Sequence, residues 1–219
     1  MLNSIFPQAI GLCAGVLLLT STLMVWRHSL LASIGLLAAQ GIGLAALVAL
    51  IGGQSGDAQL LVVSVLILAL KGVVLPWILA RQSRASTRTV DESPRQNPIV
   101  ALLTVAGLTI LSYVVLGRIL SHVSAVTAHA APIGLAMVLT GFLLLVTRRR
   151  ARSQLVGFLL LDNGIATVAF LTSGGVPLFL ELGISLDVLL VVVILYVFTG
   201  RMHTKFGGTD VDTLRELHD

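Results

Sequence analysis

Long apolar runs constrain this chain more than any other feature of its sequence. Seven can be drawn, over about Ile5–Trp26, Leu30–Ile51, Leu60–Leu79, Ile99–Ile119, Ala131–Val146, Gln154–Leu171 and Gly183–Thr199. A helix rises about 1.5 Å per residue, so some twenty residues cover roughly 30 Å, the thickness of a bilayer's hydrocarbon. The runs are continuously apolar and lack the period-two alternation of a membrane strand, which favours helices over a β-barrel. Composition agrees, with 56% hydrophobic and 11% charged residues, where a soluble domain carries about 25% charged. The expected fold is all-α: a polytopic membrane protein with seven transmembrane helices. No Lys or Arg precedes the first run, which argues against a cleaved signal peptide. Cys13 is the single cysteine, so neither an intrachain disulfide nor an iron–sulfur or zinc cluster is expected.

The formal net charge of +4 could point to nucleic acid, but its placement points to topology. Arg27, Arg81, Arg84, Arg88, Arg95, Arg148, Arg149, Arg150 and Arg152 fall on alternate loops of one side, and Arg201, Lys205 and Arg215 follow in the tail. That is 12 of the 14 basic residues; Arg118 stands on the other side and Lys71 lies within a span. Basic loops stay cytoplasmic, so the N-terminus is expected outside and the C-terminus in the cytoplasm. No nucleic-acid partner is implied. The cluster Arg148–Arg152 suits anionic lipid headgroups.

Two ionisable residues lie deep in these runs. Lys71 sits about 16 Å from the outer edge of its run, near the midplane, where a charge costs at least about 2.5–3.5 kcal/mol. The cytoplasmic surface is roughly 12 Å away, beyond comfortable snorkelling reach. Pro76 lacks an N–H and crowds the carbonyl of Gly72, so a bend beside Lys71 is expected. Irregular backbone at that depth is tolerated where it lines a hydrated cavity. A lysine exchanges protons reversibly, which an arginine does not. Asp162, followed by Asn163, lies at similar depth in the sixth run, while Glu181 and Asp187 stand near the outer end of the seventh. Carboxylates at lipid depth pair with a cation or carry protons. Lys71, Asp162, Asp187 and Glu181 are therefore the proton-relay candidates, with Gly72, Pro76, Asn163 and Gln40 supporting them. A structural hydrogen bond is the plainer reading for Asp162–Asn163, and a solvated interfacial acid for Glu181.

A shift of 123 residues lays Arg27 over Arg150, and Gln40-Gly41-Ile42 over Asn163-Gly164-Ile165, with the apolar positions between them in step. This suggests two parallel three-helix repeats joined by a connector helix. The expected units are 1–81, a first three-helix unit; 82–98, a basic cytoplasmic loop; 99–130, the connector helix and an outer loop; 131–200, a second three-helix unit; and 201–219, a cytoplasmic tail. Asp162 then corresponds to Ala39, and the seventh run has no base matching Lys71. Gly11 and Gly15 form a small-xxx-small pair suited to close helix packing.

Gly41, followed by Asp57-Ala58-Gln59 at the start of the third helix, resembles the small three-helix subunit of complex I and of multisubunit cation/proton antiporters. The whole chain resembles the hydrogenase-4 component E family. The residues that carry this are Leu161-Asp162-Asn163-Gly164, the run Leu180–Asp187, Lys71 with Pro76, and the tail from Gly208 to Asp212. The resemblance implies a non-catalytic subunit in the membrane arm of a group 4 nickel–iron hydrogenase or complex I-like assembly, in a prokaryotic plasma membrane. It implies no cofactor in this chain, with nickel–iron, iron–sulfur or flavin centres in partner subunits. The implied partners are antiporter-like subunits, subunits anchoring the quinone or hydrogenase module, and lipid. The small complex I subunit carries a glutamate in its second helix; the matching positions here, about Leu36 and Leu159, are apolar, and Asp162 stands one turn from Leu159 on nearly the same face. Two further readings stand beside a relay: a structural connector in which Lys71 and Asp162 form a buried pair, and a subunit of a multisubunit cation/proton antiporter. An independent transporter is disfavoured, since two deep charges offer little to a solute.

Overall fold

A computed structural model of the chain describes residues 2–27, 29–84, 97–120, 126–148 and 151–173, and each of the first six apolar runs becomes a helix. They are α1 (Leu2–Trp26), α2 (Leu30–Ser55), α3 (Ala58–Ile67), a π-helical segment (Leu68–Val74) continued by α4 (Leu75–Arg84), α5 (Pro98–Ile119), a 3₁₀ turn (Val126–Ala130), α6 (Ala131–Thr147) and α7 (Ala151–Ser173). Among the described residues six spans are long and apolar enough to cross a membrane, Ala58–Arg81 being one continuous span through the π segment. The seventh run, with Glu181, Asp187 and the tail, lies outside the described residues.

The local chemistry fixes the helix ends. At the α2–α3 turn Gly56 adopts φ 68°, a left-handed conformation that suits glycine. The Asp57 N–H then reaches back to the Gly52 carbonyl at 3.1 Å. The Asp57 carboxylate accepts from the Gln59 N–H at 2.8 Å, capping α3. At the start of α5, Asn97 accepts from the Ile99 N–H at 3.1 Å, with Pro98 in the first turn, where its missing N–H costs nothing.

Packing between helices relies on close backbone approach, because lipid supplies no hydrophobic drive to push two apolar helices together. α6 and α7 run antiparallel and interlock through glycines. A Cβ placed on Gly141 would lie 2.7 Å from the Leu161 nitrogen, and one on Gly164 would lie 2.6 Å from the Val138 nitrogen. Among the described residues, nothing lies within 4 Å of a Cβ placed on Gly11 or Gly15 of α1. Gly134, the residue 123 positions beyond Gly11, is by contrast tight against Val168. α1 lies against α6 and α2 against α7, so the helices superimposed by the 123-residue shift are also neighbours in space.

The core gathers where these helices meet, with Leu17, Leu44, Leu47, Val48, Leu160 and Phe170 fully buried. α5 is peripheral. Among its residues only Ala101, Val105 and Ser112 are buried, while Leu103 and Ile110 are about two-thirds exposed. At the end where α1 finishes, Arg148 reaches across from the end of α6. Its Nη2 donates to the Arg27 carbonyl at 2.9 Å and to that of Met24 at 3.4 Å. These carbonyls lie in the last turn of α1 and just beyond its end, where a cation also offsets the helix dipole.

Candidate functional site

The expected bend beside Lys71 takes the form of a π turn. Between Leu68 and Val74 the hydrogen bonds reach one residue further than in an α-helix, the Leu75 N–H donating to the Leu70 carbonyl. In this wider register the carbonyl opposite the missing N–H of Pro76 is that of Lys71, one residue earlier than an unbroken α-helix places it. A π turn also widens the helix locally, and it turns Lys71 and Gly72 into the interior, where both are buried.

Gly41 of α2 explains how the segment comes so close. A Cβ at Gly41 would stand 2.5 Å from the carbonyl carbon and oxygen of Lys71 and 2.6 Å from the Gly72 nitrogen. Only glycine permits that contact between backbones. Gly72 sits on the other side of the same joint, against Ile42.

With the backbone fixed in this way, Lys71 Nζ lies 2.8 Å from Asp162 Oδ2. The two side chains are 2% and 10% exposed. The sequence placed both charges at mid-span, and the structure joins them across α7 and the π segment. Leu159 and Asp162 line one small cavity of about 10 Å³ together with Leu37, Leu75, Pro76 and Leu79. The apolar Leu159 and the displaced carboxylate therefore share a face, as their spacing suggested.

Beside the ion pair lies an uncharged polar cluster. Gln40 is fully buried; its Nε2 donates to Ser21 Oγ at 2.8 Å and approaches the Leu17 carbonyl at 3.5 Å. Its Oε1 accepts from Asn163 Nδ2 at 3.5 Å. Gln40 and Asn163 are the two amides superimposed by the 123-residue shift, and they face one another between α2 and α7. Thr167 Oγ1 donates to the Asn163 carbonyl at 2.7 Å, and Ser21 Oγ to that of Leu17 at 2.6 Å. Ser21 was not among the sequence candidates. Its hydroxyl is one of many in the first helix, and nothing in the local pattern separates it from Thr20 or Thr22, which bond to their own helix.

Chemically, the site is one cation and one carboxylate in contact, at the edge of a cavity with room for about one water. An amide cluster adjoins the carboxylate through Asn163. Glu181 and Asp187 lie outside the described residues. His129 is exposed at the opposite end of the molecule. Arg148 was singled out in the sequence for lipid; its guanidinium is instead buried on the end of α1.

Comparison with known proteins finds similarity along the whole chain. The protein called "Uncharacterized protein Rv0085" from Mycobacterium tuberculosis is 44% identical over 220 residues, which is 100% of both chains. Hydrogenase-4 component E from Escherichia coli K12 is 25% identical over 204 residues, covering 93% of this chain and 94% of the relative. The protein of that name from Shigella flexneri matches to the same extent. No family model and no solved structure matches.

Proposed function

The chain belongs to the family of the Mycobacterium tuberculosis protein Rv0085, and from that premise we propose that it is an integral membrane subunit of a complex I-like respiratory or group 4 nickel–iron hydrogenase complex. The distant relationship to hydrogenase-4 component E supports this reading, as do the six helices of spanning length and apolarity among the described residues. The subunit has no catalytic centre of its own in this reading. The redox centres, nickel–iron, iron–sulfur or flavin, belong to partner subunits, and this chain contributes to proton or sodium-ion translocation coupled to them. Its partners are antiporter-like subunits and those that anchor the redox module, within lipid.

The observation that carries a relay role is the Lys71–Asp162 pair, in contact at 2.8 Å and almost fully buried. A membrane scaffold gains little from such a pair, because apolar residues of similar size serve as well or better. A charge pair at mid-span beside a π turn and a small cavity is therefore read as a proton station. The paired amides Gln40 and Asn163 hold the carboxylate's helix in register with α2. A structural connector is the second reading, favoured by the short contact and low exposure of the pair, which hold α7 to the π segment.

The test is ion translocation by the assembled complex in native membranes, comparing the parent with Lys71→Met and Asp162→Asn. A relay predicts that redox turnover persists while ions moved per turnover fall sharply in both. Full pumping by an assembled complex carrying either change refutes the relay and leaves the connector.

A further inference from the structure

The surroundings of the ion pair are not the same toward the two ends of the bundle. The cavity at Lys71, Asp162 and Asn163 is otherwise bounded by five apolar residues, Leu37, Leu75, Pro76, Leu79 and Leu159. Leu37 precedes Gln40 on α2, Leu159 precedes Asp162 on α7, and Leu75 to Leu79 follow Lys71. All five are displaced toward the helix ends that bear Arg27, Arg81 and Arg148. A second cavity of about 10 Å³ lies nearer that end, where α1 and α6 meet α2 and α7; Ser33, Ser153 and Arg148 line it together with apolar Met24, Leu30, Leu144 and Val156. Ser33 is about one helical turn from Leu37 and Val156 about one turn from Leu159, so roughly 5 Å separates the two spaces along the axis. Each has room for about one water, with Ser33, Ser153 and Arg148 lining the outer one and the charge pair lining the inner one.

Toward the other end the described part of the same seam is packed with apolar side chains. Leu44, Leu47 and Val48 on α2 and Phe170 and Leu171 on α7 are fully buried. Gln40, bonded to Ser21 and to Asn163, spans the gap between α1, α2 and α7 on that side of the ion pair.

We propose that the Lys71–Asp162 pair exchanges water and protons with the basic end only, along the α2–α7 seam through the cavity at Ser33 and Arg148, while the Gln40–Asn163–Ser21 cluster seals the other half. The pair is thus the blind end of a one-sided path, and Leu37 and Leu159 form its narrow point. This rests on the relay reading above, since a sealed connector has no need of access from either end.

Access can be read independently of pumping, by silver-ion labelling of single cysteines in the assembled complex, in a Cys13→Ser background and chloride-free medium. Vesicles of both orientations are compared, and an Arg81→Cys reporter identifies the basic face. Ser33→Cys, Leu37→Cys and Leu159→Cys are expected to react from the basic face at least about tenfold faster than Leu44→Cys or Leu47→Cys, which become accessible only by local opening of the bundle. Val156→Phe fills the outer cavity and should slow labelling at Leu37→Cys while leaving Leu47→Cys as it was. Equal reaction from both faces, rates at Leu37→Cys no faster than at Leu47→Cys, or indifference to Val156→Phe would each overturn the proposal. Failure of the relay reading shows itself differently, as full pumping after Lys71→Met whatever the labelling pattern.

Discussion

Removing either member of the ion pair strands the other charge midway along the bundle, and removing both does not; the size of that difference follows from the geometry. At 2.8 Å, with an effective dielectric constant near 20, the attraction is about 6 kcal/mol. Desolvating each ion costs several kcal/mol, so the net worth of the intact pair is close to zero. Lys71→Met or Asp162→Leu alone forfeits the attraction but leaves one desolvation penalty in place, a loss of about 3 kcal/mol or more. The double variant Lys71→Met/Asp162→Leu removes both penalties and should unfold within about 1.5 kcal/mol of the parent. The coupling energy from the cycle is then at least about 4 kcal/mol in magnitude, well above the few tenths expected of independent sites. Reversible unfolding of the purified chain in mild detergent measures all four corners, with assembly into the complex as a parallel readout. Additive single effects, or a double variant worse than either single, would refute both the contact and the reasoning built on it.

Two further outcomes follow from the packing. Gly41→Ala puts a Cβ 2.5 Å from the Lys71 carbonyl, so α2 and the π segment must part by about 1 Å, at a cost of roughly 1–3 kcal/mol. Gly35→Ala, in the same helix but facing open space, should be neutral or slightly stabilising, and a thermal melt of the two variants tests the contrast. Arg148→Ala removes the bonds to Arg27 and Met24 from the end of α1, a loss of about 1–2 kcal/mol. Hydrogen exchange should rise in the last turn of α1 and not in the α6–α7 hairpin.

Several features of the site could be read from the sequence because they are local. A charge inside an apolar run declares its own depth, so Lys71 and Asp162 could be singled out with no knowledge of the fold. Pro76 announced a distortion, because the missing N–H and the crowded carbonyl are properties of the residue itself. Its form was not legible: whether a helix kinks or takes a π turn depends on what the wider segment packs against, and here that is the bare backbone at Gly41. The 123-residue shift matched Gln40 with Asn163 as similar residues, but only the assembled bundle brings their side chains together. For the Gly11–Gly15 pair, the described residues offer no neighbour within 4 Å. A small-xxx-small pattern records that an approach is sterically possible, and the neighbour that would use it is chosen elsewhere; in this bundle the glycines of α6 and α7 are the ones used. Arg148 likewise read as a surface charge among its neighbours, yet it serves α1, a helix more than a hundred residues earlier in the chain.

The sequence by itself determined that the chain is a set of apolar helices of membrane length, which of their residues are costly at depth, and which end is basic. Those properties are sums over neighbouring residues, so the pattern along the chain is sufficient for them. The tertiary structure decided that Lys71 meets Asp162, that the amides pair beside them, and that a small cavity adjoins them. Such contacts depend on the rotation and register of helices distant in sequence, set here by glycines that let backbones touch.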